Sequence, residues 1–270
     1  MRTGVEPLDI RLVACRTAAS PSKLPGLDWA INPYRGCGHG CAYCYAQDVT
    51  RFEPHRRWGE VVEVKANIAD RLRAELRHGA RGVYGVGTVT DPYQPIENEH
   101  GLTRACLSVL RRADAEVSIL TKSDLVLRDV DIMRGWPKVE VGFSIATLDE
   151  SDARLVEPGA PGPRRRIAAL RSVSQNGVRT YLMLAPVIVG LSDKEESLRE
   201  VVRAAAEAGA GYIIWDAYNP KPLADARLRR ALAAAGRETT WALDGHRRSR
   251  IHNIVSDECS AHGIRLMTAF

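Results

Sequence analysis

Between residues 29 and 217 the chain alternates, six times over, a short apolar run with a segment of helix length. The runs are Trp29 to Tyr34, GVYGVGTVT (82–90), EVSILT (116–121), KVEVGFSI (138–145), RTYLMLAPVIV (179–189) and GYIIWDA (211–217). Each is bounded by turn formers, as a buried strand is. In the intervals, Ile68, Leu72 and Leu76 fall on one face of a helix over 67–77. Further helices are expected over 102–113, around 126–134, over 165–176 and over 195–208, the last two stopped by Gly177 and Gly209. Such a repeat specifies an α/β fold with a parallel sheet. Six units are two short of a closed eightfold barrel, and a doubly wound sheet gives a similar alternation.

The flanks read differently. Residues 1–30, punctuated by Pro21, Pro25 and Gly26, are weakly patterned and form an N-terminal arm; residues 31–220 form the α/β body. After Pro220 the pattern turns helical, over 224–235 and 247–262, and residues 221–270 are expected to cap the body. The N-terminal stretch MRTGVEPLDIRL lacks the apolar core of a secretory signal, and no segment has the ~20 apolar residues of a bilayer span. A cytoplasmic location is expected, with no membrane partner. Cys15, Cys106 and Cys259 are then reduced, packed thiols. The net charge of +5 permits a nucleic-acid partner without demanding one. The basic runs Arg164–Arg166, Arg229–Arg230 and Arg247–Arg250 read as solvated faces.

Directly after the first run comes CGHGCAYC, with Cys37, Cys41 and Cys44 at the spacing Cys-x3-Cys-x2-Cys. Three thiolates on so short a loop can share one inorganic centre. With His39 they would make a Cys3His zinc site and the chain a non-catalytic binding module, although zinc loops usually come as two separated ligand pairs. Disulfides need an oxidising compartment that nothing here marks. The remaining reading is an iron–sulfur cluster. An electron-transfer [4Fe–4S] cluster has all four irons capped by cysteine, so three cysteines leave one iron open.

The loop resembles that of the radical S-adenosylmethionine (SAM) superfamily, with the aromatic Tyr43 just before its last cysteine. NPYRGCGHGCAYCYA, TDPYQPIE, ILTKS, FSIATLDE and LAPVIVGLSD, in that order over about residues 29–195, resemble its spore photoproduct lyase-like branch. The resemblance implies an open (β/α)6 partial TIM barrel with a C-terminal helical cap. It implies a [4Fe–4S] cluster on Cys37, Cys41 and Cys44, with SAM chelated at the open iron. Such enzymes cleave SAM reductively to a 5′-deoxyadenosyl radical that abstracts hydrogen from a substrate, drawing on an electron donor such as flavodoxin or ferredoxin. Tyr43 would lie by the SAM adenine, and Thr90, Lys122 and Ser144 would hold SAM.

The C-terminal ends of the strands select residues independently, because chemistry in parallel α/β folds sits there. They bear Thr88, Thr90 and Asp91; Thr121 and Lys122; Ser144; Ala185 and Pro186; and Trp215 and Asp216. Hydroxyls and an ammonium suit the ribose and carboxylate of SAM. Asp91, Tyr93, Gln94 and Glu97, in a proline-bounded turn, are candidate cofactor or substrate contacts, and Asp216 is a further substrate candidate. One departure matters. Spore photoproduct lyases carry a hydrogen-donor cysteine where this chain has Thr88, whose O–H bond is too strong for that task, and Cys106 lies in a helix. Tyr45, Tyr93 and Tyr218 are the alternative donors. A small-molecule or peptide substrate is expected rather than a thymine dimer, with the reaction open among lyase, isomerase and transferase. A nucleic-acid repair or modifying lyase, using Arg247, Arg248 and Arg250, is the alternative.

Overall fold

In a computed structural model, which describes residues 8–53, 55–237 and 244–268, the six expected strands line up in chain order. They are β1 Trp29–Ile31, β2 Val83–Val86, β3 Glu116–Thr121, β4 Val139–Ser144, β5 Arg179–Val187 and β6 Tyr212–Ala217. Every neighbouring pair among them is parallel. Helices α1 Ile68–Glu75, α2 Leu102–Arg112, α3 Pro163–Gln175 and α4 Glu195–Glu207 make four of the crossovers. The β3–β4 crossover is mostly a 3-10 turn, Asp124–Asp129, and is α-helical only over Val130–Met133. A short strand, Ala19–Pro21, pairs antiparallel with the outer edge of β1. The two ends of the strand order do not pair with each other, so the barrel is open.

Alternation along the strands separates two sets of side chains. Val117, Ile119, Val141, Phe143, Leu182 and Leu184 face the helices and are buried with Leu107, Leu110, Leu170 and Val201. The other set lines the barrel interior. At its lower end, the Ser118 and Tyr212 hydroxyls both donate to Glu140 Oε1, each at 3.0 Å. Tyr181 and Tyr212 stack there with ring centroids 4.9 Å apart. Tyr181 lies across Gly142, where an added Cβ would come within 2.1 Å of its ring, so only glycine fits. At the upper end the same rows finish in Lys122, Ser144 and Asp216.

Two differences from expectation concern the flanks. The first run is divided at Pro33, which has no N–H to give a ladder. The Pro33 carbonyl instead accepts from the Lys65 N–H at 3.1 Å, and the chain crosses into a second sheet. There Tyr34–Arg35 pairs antiparallel with Val61–Lys65, and Asp9–Val13 pairs with it in parallel, so part of the expected arm is built into structure.

The C-terminal segment does more than cap. Helix α5, Pro222–Ala234, lies against the cysteine loop. Helix α6, Gly245–Ala261, is capped by Asp244, which accepts the Arg247 N–H at 2.8 Å, and buries Ile251, Ile254 and Val255 in the main core. It leads into β7, Arg265–Thr268, which pairs in parallel with β6 and extends the repeat by one unit. Among the described residues no helix is long and apolar enough to cross a membrane.

Candidate active site

The loop from Cys37 to Cys44 is gripped from several sides. Gly36 enters it at φ +86°, and a Cβ there would stand 2.2 Å from the Val61 carbonyl oxygen. The Gln94 side chain, wholly buried, accepts the Gly38 N–H at 2.7 Å and donates to the Thr90 hydroxyl at 2.9 Å. Thr90 in turn donates to the Gly36 carbonyl at 2.6 Å. On the other side the Ala42 N–H donates to Val156 O at 2.8 Å, and the Gly159 N–H to His39 O at 2.9 Å. Cys37 and Cys41 are buried, Cys44 partly so, and all three are free thiols. Burial pushes the Cys41 thiol well up and the Cys44 thiol up to about 11.

Tyr43 begins a buried polar chain. Its hydroxyl donates to Glu157, whose second oxygen accepts from Arg166. Arg166 also donates to the Ser144 carbonyl at 3.0 Å and to Pro161 O at 2.7 Å. Burial alone would raise Glu157, but Arg166 and Lys122 hold its carboxyl below the ordinary value. Lys122 Nζ lies 2.9 Å from the Ser144 hydroxyl and 5.5 Å from the Tyr43 ring centroid. The Ser144 hydroxyl itself donates to Ala185 O at 3.1 Å. The structure thus brings Tyr43, Lys122 and Ser144 together beside the cysteines. Glu157 and Arg166 escaped the sequence reading, and Arg166 corrects it: Arg164 and Arg165 are about two-thirds exposed, whereas the Arg166 side chain is only 2% exposed.

Several expected contacts are turned elsewhere. The Thr90 hydroxyl is committed to Gly36 and Gln94, so it braces the loop. Asp91 accepts from the Thr121 hydroxyl and the Lys122 N–H, each at 2.7 Å, and lies 3.4 Å from His39 Nδ1. These partners outweigh its burial and hold its carboxyl at about 2. Tyr93 and Glu97 are wholly buried. Glu97 accepts from Tyr34, from the Thr103 N–H at 2.9 Å and from Arg128, which makes it a structural anion and not a substrate contact. Asp216 is half-buried at the end of β6, raised by that burial, with Arg248 at 3.7 Å. Of the alternative donors, Tyr45 is partly exposed and its hydroxyl donates to Thr88 O at 2.7 Å, while Tyr218 is buried. Cys106 is buried within α2. His39 is buried against Asp91, and among the described residues no group of three or more His, Cys, Asp or Glu side chains is placed so that it could hold a metal ion as it stands.

Helix α5 reaches the loop from the C-terminal part of the chain. Asp48, just past the cysteines, accepts the N–H groups of Leu223 and Ala224 at 2.8 and 3.2 Å and so caps the helix. Arg227 donates to the Cys44 carbonyl at 2.6 Å and to the Gln47 side chain. Leu228 and Leu232 pack on Cys41, Ala42 and Tyr43.

Residues 31–205 match the model of the Radical SAM superfamily. The chain is 36% identical over 195 residues to the uncharacterized protein MJ0683 of Methanocaldococcus jannaschii, a match spanning 72% of this chain and 73% of that one. It is 24% identical over 186 residues to a radical SAM Nalpha-GlyT isomerase of Pseudomonas phage M6, covering 67% of this chain and 38% of that protein. Its fold matches spore photoproduct lyase with a TM-score of 0.74 at 17% identity, over 96% of this chain and 82% of that one. A second structure of that lyase holds AdoMet and a dinucleoside spore photoproduct; it matches with a TM-score of 0.72 at 16% identity, over 95% of this chain and 81% of that one. With the open parallel barrel and a three-cysteine loop at the mouth of its first strand, this chain belongs to the radical SAM superfamily, whose enzymes work with a [4Fe–4S] cluster and SAM.

Proposed function

We propose that Cys37, Cys41 and Cys44 hold a [4Fe–4S] cluster and that Tyr43, Lys122 and Ser144 bind SAM beside it. The observation that carries this reading is the meeting of these three side chains with the cysteine loop at the upper end of the barrel. The donor set suits the group: three free thiols on a loop shaped by glycine, with no fourth cysteine beside them in the sequence. When bound, cluster and SAM together supply a 5′-deoxyadenosyl radical for hydrogen abstraction. The protein's own work is to bind and aim. Lys122 uses one of its three N–H donors on Ser144, which leaves two for the SAM carboxylate. The chain from Tyr43 through Glu157 to Arg166 fixes the loop to the end of β4. Asp91 fixes the backbone and flanking threonine of Lys122. A small molecule or peptide is the substrate, entering from the upper end, and a flavodoxin- or ferredoxin-type protein is the reductant. Anaerobic reconstitution tests the reading: an iron–sulfur chromophore and 5′-deoxyadenosine formed with dithionite and SAM are expected, and Cys41→Ala abolishes the product. A colourless protein with one zinc and no iron, or unchanged turnover in Cys41→Ala, overturns it.

A second reading takes nucleic acid as substrate. It is favoured by Arg247, Arg248 and Arg250 on the first turns of α6, where all three are exposed. Arg248 there stands beside Asp216 and over the Trp215 ring at 5.6 Å. The similarly folded lyase that holds a dinucleoside spore photoproduct points the same way. Salt-dependent DNA binding that disappears when the three arginines become glutamine supports it. Absence of DNA binding at low salt removes it.

A further inference from the structure

Helix α5 lies beyond the residues that match the superfamily model, yet it is fastened to the cysteine loop at three points. Asp48 caps it, Leu228 and Leu232 pack on Cys41 to Tyr43, and Arg227 forks onto Cys44 O and Gln47. The fork uses the two terminal nitrogens of Arg227. The third nitrogen, Nε, is buried and has no hydrogen-bond partner among the described residues. A buried guanidinium N–H without an acceptor is costly. The nearby carboxylate, Asp48, is engaged with the helix end, and the fork itself lies on the Cys44 carbonyl.

We propose that Arg227 is a positioning residue for the iron–sulfur cluster: its fork fixes the Cys44 end of the loop, and its charge and free Nε–H act on the sulfur of the bound centre and favour the reduced cluster. The proposal rests on the cluster reading above. Reduction adds an electron to the centre, and a fixed cation with a hydrogen bond to sulfur stabilises the added charge, so both raise the potential. The effect comes from a C-terminal helix, and this barrel would lose it with that helix.

The test is an anaerobic EPR redox titration of the reconstituted 270-residue chain and two variants. Arg227→Gln removes the cation and is expected to disfavour reduction at least tenfold, a midpoint lower by about 59 mV for a one-electron couple. Arg227→Lys keeps the charge and loses the planar fork, and its midpoint is expected between those of the wild type and Arg227→Gln. Asp48→Asn, which weakens only the helix cap, is expected to lower thermal stability and leave the midpoint unchanged. Wild-type midpoints in both Arg227 variants, with four irons per chain, overturn the proposal. So does a shift in Asp48→Asn as large as that in Arg227→Gln, which would make docking of the helix, and not the guanidinium, the cause. If the wild-type protein takes up no iron–sulfur cluster, the reading above fails and this one with it; a normal cluster with an unmoved midpoint sinks only the role of Arg227.

Discussion

Arg166→Met removes a cation whose side chain is 2% exposed and leaves its partner, Glu157, at 5%. Breaking a buried ion pair from one side costs about 3–5 kcal/mol, because the remaining charge is uncompensated. The Ser144 and Pro161 carbonyls lose their donor in the same step. At about 1.4 kcal/mol per tenfold, the unfolding constant rises by roughly two to three and a half orders of magnitude. Urea denaturation at pH 7, followed by circular dichroism, reads this as a midpoint lowered by about 1 M or more. The pH dependence has a definite sign. In the wild type Glu157 is lowered, so its contribution is full above the unfolded value near 4.3 and is lost as pH falls through the folded value. In Arg166→Met, burial is opposed only by Lys122 and Tyr43, and it carries the carboxyl above its unfolded value. The deficit against wild type is therefore greatest at neutral pH and shrinks toward pH 4. Adding Glu157→Gln should restore part of the loss, since the buried charge is gone. Arg165→Ala, which removes an exposed pair with Asp124, should stay within about 0.5 kcal/mol. A loss below about 1 kcal/mol in Arg166→Met, or a deficit flat with pH and untouched by Glu157→Gln, would refute the reasoning.

Gly36→Ala meets both a left-handed backbone and a carbonyl 2.2 Å from the new Cβ, each costing about 1–3 kcal/mol, so the melting temperature and the iron retained after reconstitution should both drop. Unchanged values would show that the loop entrance is not tightly held. Gly142→Ala should destabilise by about 1–3 kcal/mol through its clash with Tyr181, and Tyr181→Leu should relieve part of it; equal losses in the single and double variants would contradict the packing. Lys122→Ala should weaken SAM binding to the reconstituted protein by roughly 10- to 150-fold, the worth of a charged hydrogen bond of about 1.5–3 kcal/mol. Calorimetry giving wild-type affinity would remove Lys122 from the site.

What the sequence made legible follows from how local each signal is. The strands and crossovers were readable because apolar period and glycine stops lie within a few residues of each other. The places of Lys122 and Ser144 were readable because a strand end fixes a position in the fold. The same rule could not foresee the partners of Thr90 and Glu97, since it locates a backbone position and says nothing about which way the side chain turns. Arg166 was hidden in a run of three arginines, although its spacing to Leu170 and Val173 puts it on the buried face of α3. Glu157 looked like part of a proline-rich loop, and its partner Tyr43 is 114 residues away, beyond any local pattern. The strand β7 has four residues, too few for alternation to declare itself. The hold of α5 on the cysteine loop depends on pairs some 175 residues apart, such as Asp48 with Leu223.

The paired tyrosines over Glu140 give the barrel a consequence for traffic. They fill the base, so whatever reacts beside the cysteine loop would enter from the upper end or through the seam that the unclosed strand order leaves, and not along the barrel axis from below.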